Sequence, residues 1–593
     1  MQLKKYRTMG LLLFFCAAGL LLFSPLFYDM YQLPKALMAL PAVFFAMAFM
    51  VFGREKSDVT LPSIFTMLLC LYTGIWALLS PNHPPLYYAA LAFSPALFFV
   101  SFHSKIKADT FAFFISLLLL ASLAFGLYQF FFLNINRPYS FFGNPIFFAE
   151  FIGFTLPIAL YSAINGGRAS IPAFICLPLS IPAMVTASSR GPAASAAVSL
   201  FILIFYFVRA GAANRLKLPA LAIIAALITL PFLTPGFTQS LNSAFTRAAG
   251  LFSIENPAIQ NRLNLAQSSL KIFKDSPVFG SGPGAVKKYQ QLKQASILKD
   301  YPDYQFVNSS YTHNDYIQLL AETGLTGLLL YLALLFSLAH AFEKSSPKME
   351  QKTFLFCTAL FSSVIFIISE SFFNFPLFSY PSSALLFIAA GLIARECLPY
   401  GAPLKPAVPF IFARISAALL AIILLGYLSF IKPGAIASNI YLKEALKTDF
   451  AGKTGADALY KKAESLEKDS FFAIFHHAQY LALRKKYGEA VESYTKLLAL
   501  FPYSADVMYN IGSIHLIRGM HNEALLKFDE ALFYHPDFAL AHMGAYKALK
   551  ALGQNEQADK HLEAAALSDR SILNPASRGK VILFKEVTGN EEY

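Results

Sequence analysis

Three residues have the type and setting for chemistry: His313, Arg190 and Arg262. His313 heads an apolar helix in YTHNDYIQLLAETG, residues 311–324. Ionisable groups at a water–lipid boundary are costly to place and mark function. An imidazole with an ordinary pKa of about 6.5 is a base at neutral pH, and a helix N-terminus disfavours its protonated form. Arg190, in SSRGP, offers a planar fork that matches phosphate oxygens. Gly191 and Pro192 beside it open a helix whose first amides point at an anion. Arg262 lies in NRLNLAQSSLKIF, amphipathic through Leu263, Leu265, Leu270 and Ile272, the kind of helix that lies along a membrane surface. Brought beside Arg190, it would complete a pair suited to a diphosphate. Alone, each has a plainer reading: Arg190 as an arginine snorkelling into headgroups, Arg262 on a solvated face, His313 as a surface histidine beside the helix cap.

Other polar residues gather with them. Arg137 and Asn144 lie in RPYSFFGNPIFFAE, Gly280 and Gly282 in PVFGSGPG, and Asn314 and Asp315 stand at the helix cap. Glu150, Glu322 and Glu370 fall near the same ends of their helices. These make Arg137, Asn144, Gly280, Gly282, Asn314 and Glu322 candidate substrate contacts. The chain has no GxxxxGK[ST], no HExxH and no Asp-x-Asp; Asp300 and Asp303 read as loop solvation. GSGPG follows no strand and opens no dinucleotide fold. The cysteines have neither CxxC nor CxxH spacing and read as small buried hydrophobes. No metal or cofactor is expected.

The elements that must position these groups are membrane helices. Of 593 residues 56% are hydrophobic and 14% charged, with mean hydropathy +0.52; a soluble chain carries nearer a quarter charged residues. A span needs roughly 20 apolar residues. Thirteen candidates (about 12–13 spans) lie near 9–27, 34–52, 61–79, 85–102, 109–133, 146–165, 170–187, 191–208, 217–234, 316–341, 353–370, 376–394 and 410–431. The N-terminus imitates a signal peptide but reads as an uncleaved first helix. The net charge of +13 would suggest nucleic acid in a soluble chain. Here it sits in alternate short loops, as membrane orientation requires, and no nucleic-acid partner is expected. The rule places the N-terminus in the cytoplasm and a long loop, about 235–315, outside. Thirteen spans put the C-terminal region outside as well; one span fewer would reverse that.

The C-terminal region is a repeat. Ala490, Ala524 and Ala558 recur every 34 residues, as do Tyr494, Phe528 and Leu562, and Pro502 and Pro536. The pattern resembles the tetratricopeptide repeat, with copies at 471–504, 505–538 and 539–572 and an incomplete one before them. Stacked helix pairs give a concave groove suited to a protein partner, or merely a stabilising cap. The expected fold is all-α: a polytopic helix bundle at 1–434 with its large external loop, an α-solenoid of repeats at 435–575, and a tail at 576–593.

The order GNP (143–145), SRG (189–191), Arg262 followed by Pro277, Gly280 and Gly282, and HN-x(7)-E-x-G (313–324) resembles the O-antigen ligase and polymerase superfamily. The family often has Trp four residues after the loop arginine, where Ala266 stands here. The resemblance implies metal-independent transfer of a glycan from undecaprenyl diphosphate to an acceptor hydroxyl at the periplasmic face of a bacterial inner membrane. Arg190 and Arg262 would stabilise the departing diphosphate, and His313 would orient or deprotonate the hydroxyl. Lipid A–core, a growing glycan or a protein are the acceptors it implies, making the chain a ligase, a polymerase or a protein O-oligosaccharyltransferase. A transporter or flippase, or a scaffold with a protein-binding tail, is the alternative of another class; transporters gather polar groups at mid-membrane rather than at one rim.

Overall fold

The computed structural model describes residues 60–80, 94–165, 170–187, 189–221, 257–301, 304–401 and 433–569, with isolated positions between them. Among these residues there is no strand, and seven helices are long and apolar enough to cross a membrane. The protein is a multi-pass membrane protein. The helices that cross are α1 (Leu61–Leu79), α2 (Ala108–Phe131), α3 (Pro145–Asn165), α5 (Arg190–Arg209), α8 (Asp315–Ser345), α9 (Gln351–Glu370) and α10 (Tyr380–Cys397). The shorter apolar α4 (Ile171–Ala187) joins α3 to α5. The expected spans at 9–27, 34–52, 217–234 and 410–431 fall largely outside the described residues, and that at 85–102 is described only toward its end.

Helix α3 and helix α10 form the centre, buried along most of their length. Close packing there depends on missing side chains. A Cβ on Gly153 of α3 would come within 2.1 Å of the Phe366 ring on α9, and one on Gly391 of α10 within 2.2 Å of the Phe98 carbonyl. Such small-residue contacts are how helices associate in lipid, where burial of apolar surface no longer drives them together. The outer faces stay apolar: Phe201 on α5 is 70% exposed and Phe336 on α8 is 72% exposed, as lipid contact demands.

The two ends of the bundle differ. One end carries the basic loops, pinned by Lys352 to Asp109 (2.5 Å), Arg395 to the Ser104 carbonyl (2.9 Å) and Gln351 to the Ala210 carbonyl (2.9 Å). The other end gathers the starts of α3, α5, α8 and α10 and the ends of α4 and α9. Over it lie α6 (Pro257–Asp275) and α7 (Ala285–Asp300), formed by the long loop between α5 and α8. The amphipathic segment around Arg262 is a helix, as its spacing predicts. Its apolar residues divide, however: Leu265 and Ile272 are buried with Asn264, Ser268 and Ser269, whereas Leu263 and Leu270 remain exposed.

Helix α8 breaks at Gly324 (φ 66°, ψ −170°). The loop segment 276–282 is spliced into that break. Leu325 N–H donates to the Pro277 carbonyl (2.9 Å) and Thr326 N–H to the Val278 carbonyl (3.1 Å). Ser281 and Gly282 N–H groups donate to the Ala321 and Glu322 carbonyls (both 2.9 Å). Backbone groups freed by a broken helix at membrane depth are tolerated only when re-paired in this way. Tyr72 and Trp76 of α1 bind the Thr323 and Glu322 carbonyls from the other side.

The repeats form three helix pairs: α13 (Phe471–Leu483) with α14 (Tyr487–Leu500), α15 (Ala505–Ile517) with α16 (His521–Tyr534), and α17 (Ala539–Ala551) with α18 (Asn555–Ser568). Helices α11 (Pro433–Phe450) and α12 (Ala456–Leu466) precede them as a further pair. The starts at 471, 505 and 539 keep the 34-residue period. Ala490, Ala524 and Ala558 are wholly buried, and Gly512 and Gly544 make room for the Phe528 ring.

These repeats dock on the long loop that precedes α8. Asp537 Oδ2 accepts from Phe306 N–H (3.3 Å), His535 stacks on Phe306 with centroids 3.8 Å apart, and Gln291 Oε1 accepts from Ala505 N–H (3.2 Å). Lys287 lies over the Phe472 ring, and burial pushes its ammonium down to about 8. The repeats therefore share one end of the bundle with the loop, α6 and α7.

Candidate active site

His313 occupies a strained backbone position, φ 54°. This left-handed region is uncommon for residues other than glycine and clusters at functional sites. The strain is over-determined on both sides. Before it, Thr312 N–H donates to Gln318 Oε1 (3.1 Å) and the Thr312 hydroxyl pairs with Ser269 of α6 (2.8 Å). After it, Asn314 caps α8 by accepting from Ile317 N–H (3.0 Å), and its Nδ2 donates to the Phe372 carbonyl (3.3 Å). Asp315 N–H donates to the Ser371 carbonyl, and its Oδ2 accepts from the Ser371 hydroxyl (2.7 Å) and Leu377 N–H (3.0 Å). The imidazole stands edge-on to Phe375, centroids 5.1 Å apart. Burial, reinforced by the Arg262 charge, pushes it down to about 4, so it is neutral and able to accept a proton at pH 7.

Glu370, at the end of α9, ties the start of α5 to the turn that follows α9. Ser195 of α5 donates to its Oε2 (2.9 Å), and the Asn374 side-chain amide donates to its Oε1. Gly191 lies so close that a Cβ there would stand 2.9 Å from both Glu370 Oε1 and Asn374 Nδ2. That contact carries the start of α5, and with it Arg190, onto the hub. Arg262 lies within electrostatic reach of both Glu370 and His313. Among the described residues the Arg190 guanidinium has no hydrogen-bond or ion-pair partner, and the residue is only half-buried. Arg137 Nε donates to the Ala187 carbonyl (3.2 Å), closing the end of α4 just before Arg190.

Five of the candidate substrate contacts, Gly280, Gly282, Glu322, Asn144 and Asn314, hold structural partners. Gly280 and Gly282 are buried in the splice with positive φ of 77° and 91°, facing the Glu322–Gly324 backbone. The Glu322 carboxylate, itself buried, takes the backbone N–H groups of Gly284 and Val286 at the start of α7. Asn144 Oδ1 accepts from Ile146 N–H (2.8 Å) and opens α3. Asn314 is half-exposed, but both ends of its amide are engaged. Glu370, Asn374 and Ser195 are the residues of this hub that motif reading did not place in the site. No group of three or more His, Cys, Asp or Glu side chains suited to a metal occurs among the described residues.

Residues 175–332 match the family model described as O-antigen ligase, and the helical repeats follow that stretch. The matched stretch contains Arg190, Arg262, His313 and both halves of the splice. Human protein O-mannosyl-transferase TMTC3 is 32% identical over 116 residues, which are 19% of this chain. The chain spans 13% of that relative's length. Crystal structures of MamA align with 26% and 28% of this chain and 89% and 85% of theirs, at 19% and 18% identity and TM-scores of 0.22.

Proposed function

We propose that the chain is a membrane glycosyltransferase of O-antigen ligase type, moving a glycan from undecaprenyl diphosphate to an acceptor hydroxyl at the periplasmic face of a bacterial inner membrane. The observation that carries this is the convergence of Arg190, which has no ion-pair partner among the described residues, with Arg262 and a neutral His313 at one end of the bundle. In the reaction the acceptor oxygen bonds to the donor's anomeric carbon as the bond from that carbon to the diphosphate oxygen breaks. The acceptor proton passes to His313, and undecaprenyl diphosphate leaves with the electron pair. Arg190 and Arg262 offset the charge that grows on the leaving diphosphate, an interaction stronger in the transition state than in the bound donor. Glu370 keeps the start of α5, which carries Arg190, beside the turn that faces His313. No step calls for a metal or cofactor.

Transfer belongs to residues 1–434 and partner binding to the repeats at 435–575. The N-terminus is then cytoplasmic and the repeats periplasmic, since they touch the loop that covers the site. Lipid A–core is the leading acceptor. The docking of the repeats on the loop segment that leads to His313 favours a second reading, a protein acceptor held by the repeats. Reconstituting the full chain in vesicles with a lipid-linked oligosaccharide tests this. Lipid A–core, a second lipid-linked glycan and a polypeptide, each offered without added metal, separate ligase, polymerase and protein glycosylation.

A further inference from the structure

The Asn374 side chain faces the His313 ring, yet His313 Nδ1 and Asn374 Oδ1 are both buried without a hydrogen-bond partner. Two unsatisfied buried polar atoms on facing side chains are uncommon, and each costs about 1–3 kcal/mol. The orientation of the amide is not free. Its Nδ2 donates to Glu370 Oε1, and a carboxylate can only accept. The turn that carries Asn374 is fixed too: Phe373 and Asn374 N–H groups both donate to the Glu370 carbonyl (2.8 and 2.9 Å). Asn314 and Asp315 clasp the same turn through the Phe372 and Ser371 carbonyls. Oδ1 is therefore the atom left to meet the imidazole. An acceptor facing a neutral imidazole selects the tautomer that carries its proton on the facing nitrogen, leaving the other nitrogen with a free lone pair.

We propose that Asn374 is a positioning residue that fixes His313 as the Nδ1–H tautomer, with Glu370 locking the orientation of the amide. Nε2 is then the atom that takes the acceptor proton, which deepens the reading of His313 given above and rests on it. A small closing shift of the 313–314 turn against 371–374 completes the bond. The charge that acts on the imidazole is that of Arg262 from α6; Asp315 of α8 binds the Ser371 hydroxyl and Leu377 N–H instead, and Glu370 of α9 lies behind Asn374. Asn374 is uncharged, so it sets the tautomer without drawing a proton onto the ring, as a carboxylate there would.

The test uses the full chain in lipid nanodiscs with 15N-labelled histidine. The chain has 11 histidines, and the His313 signals are those lost in His313→Gln. Two-bond 1H–15N correlations then report its tautomer directly, whatever the chain's activity. Wild type is expected to show Nδ1 protonated and Nε2 bare. Asn374→Ala is expected to give a mixture or the reverse tautomer. In the glycan-transfer assay, Asn374→Ala is expected to lower kcat by about 10²-fold or more with little change in the donor KM. Asn374→Asp, which keeps an acceptor, should restore part of the rate and move the acid limb of the pH profile upward, because a carboxylate favours the imidazolium. An Nε2–H tautomer in the wild type, or a tautomer unchanged in Asn374→Ala, overturns the proposal. If wild type shows the Nδ1–H tautomer and Asn374→Ala loses it, but wild type transfers no glycan, the positioning stands and the proposed function falls.

Discussion

Gly280 and Gly324 touch backbone to backbone: a Cβ on either would lie 2.5 Å from the other's amide nitrogen. Both have positive φ, 77° and 66°. The loop motif and the helix motif, far apart in sequence, are therefore two halves of one joint. The joint seats the long loop on α8 and sets the height of α6, which carries Arg262. Gly280→Ala and Gly324→Ala are each expected to lower the unfolding midpoint, with a backbone strain alone of about 1–3 kcal/mol, and to lower transfer in step. Thermal unfolding in detergent, read beside transfer, checks this; an unchanged midpoint would contradict the interlocked geometry.

Replacing the proposed reacting groups should separate chemistry from folding. His313→Ala and Arg190→Ala are expected to abolish transfer, a loss of at least about 10²–10⁴-fold for a general base or a charge-stabilising group, while the protein stays in the membrane at normal abundance. Arg262→Lys should also impair transfer, because an ammonium cannot reproduce the guanidinium fork. Single-turnover transfer at saturating donor measures this.

The titration of His313 has a defined sign. Its unfolded value is about 6.5, and burial followed by the Arg262 charge lowers it to about 4 in the fold. The neutral ring's share of stability is fully present above about 6.5 and is lost as pH falls through that value toward 4. The acid limb that His313 imposes on kcat/KM should therefore lie well below 6.5. Arg262→Gln removes one cause of the depression, so the limb of its residual activity should move upward. A limb that stays put would show that the Arg262 charge does not act on the ring.

The repeats bear on the segment 304–314, a strap that leads to His313. Phe306 is held by His535 and Asp537; Gln294 then takes Val307 N–H (3.0 Å) and Asn264 of α6 (3.0 Å), and the strap runs on to His313. Asp537→Ala with His535→Ala is expected to raise amide hydrogen exchange at 304–314 and to reduce transfer several-fold, with the repeats still folded. Unchanged exchange in that segment would mean the docking does not restrain the strap.

The repeats offer a stability test of their own. Gly519 and Gly553 have φ of 75° and 77° at the turn within their helix pairs, while the equivalent Lys485 holds φ 61°. Lys485→Gly is expected to relieve about 1 kcal/mol of left-handed strain, visible as a raised unfolding midpoint for the repeat region.

Local order was legible wherever periodicity is local. The 34-residue recurrence of Ala490, Ala524 and Ala558 gave the helix pairs at the right starts, and apolar run length gave α1, α3 and α9 nearly to the residue. His313 stood out because a histidine beside an apolar run is conspicuous. The hub did not: Asn374 is one polar residue in FFNFP, and its meaning arises only when α5, α8 and α9 meet. Gly280 and Gly282 read as candidate substrate contacts, and the backbone they meet in the splice was not legible, because a glycine-rich loop reads the same whether backbone or ligand approaches it. Glu322 was legible as important, but its partners, the Gly284 and Val286 amides, are set by the splice at Gly324, which no local pattern encodes.

The most direct measurement is transfer by purified full-length protein in vesicles carrying lipid-linked oligosaccharide, with release of undecaprenyl diphosphate followed alongside glycan arrival on the acceptor. Equal amounts of the two products from wild type, without added metal, and neither from His313→Ala or Arg190→Ala, is the predicted result. Full transfer by both variants, or oligosaccharide that crosses the bilayer still joined to its lipid, would contradict it.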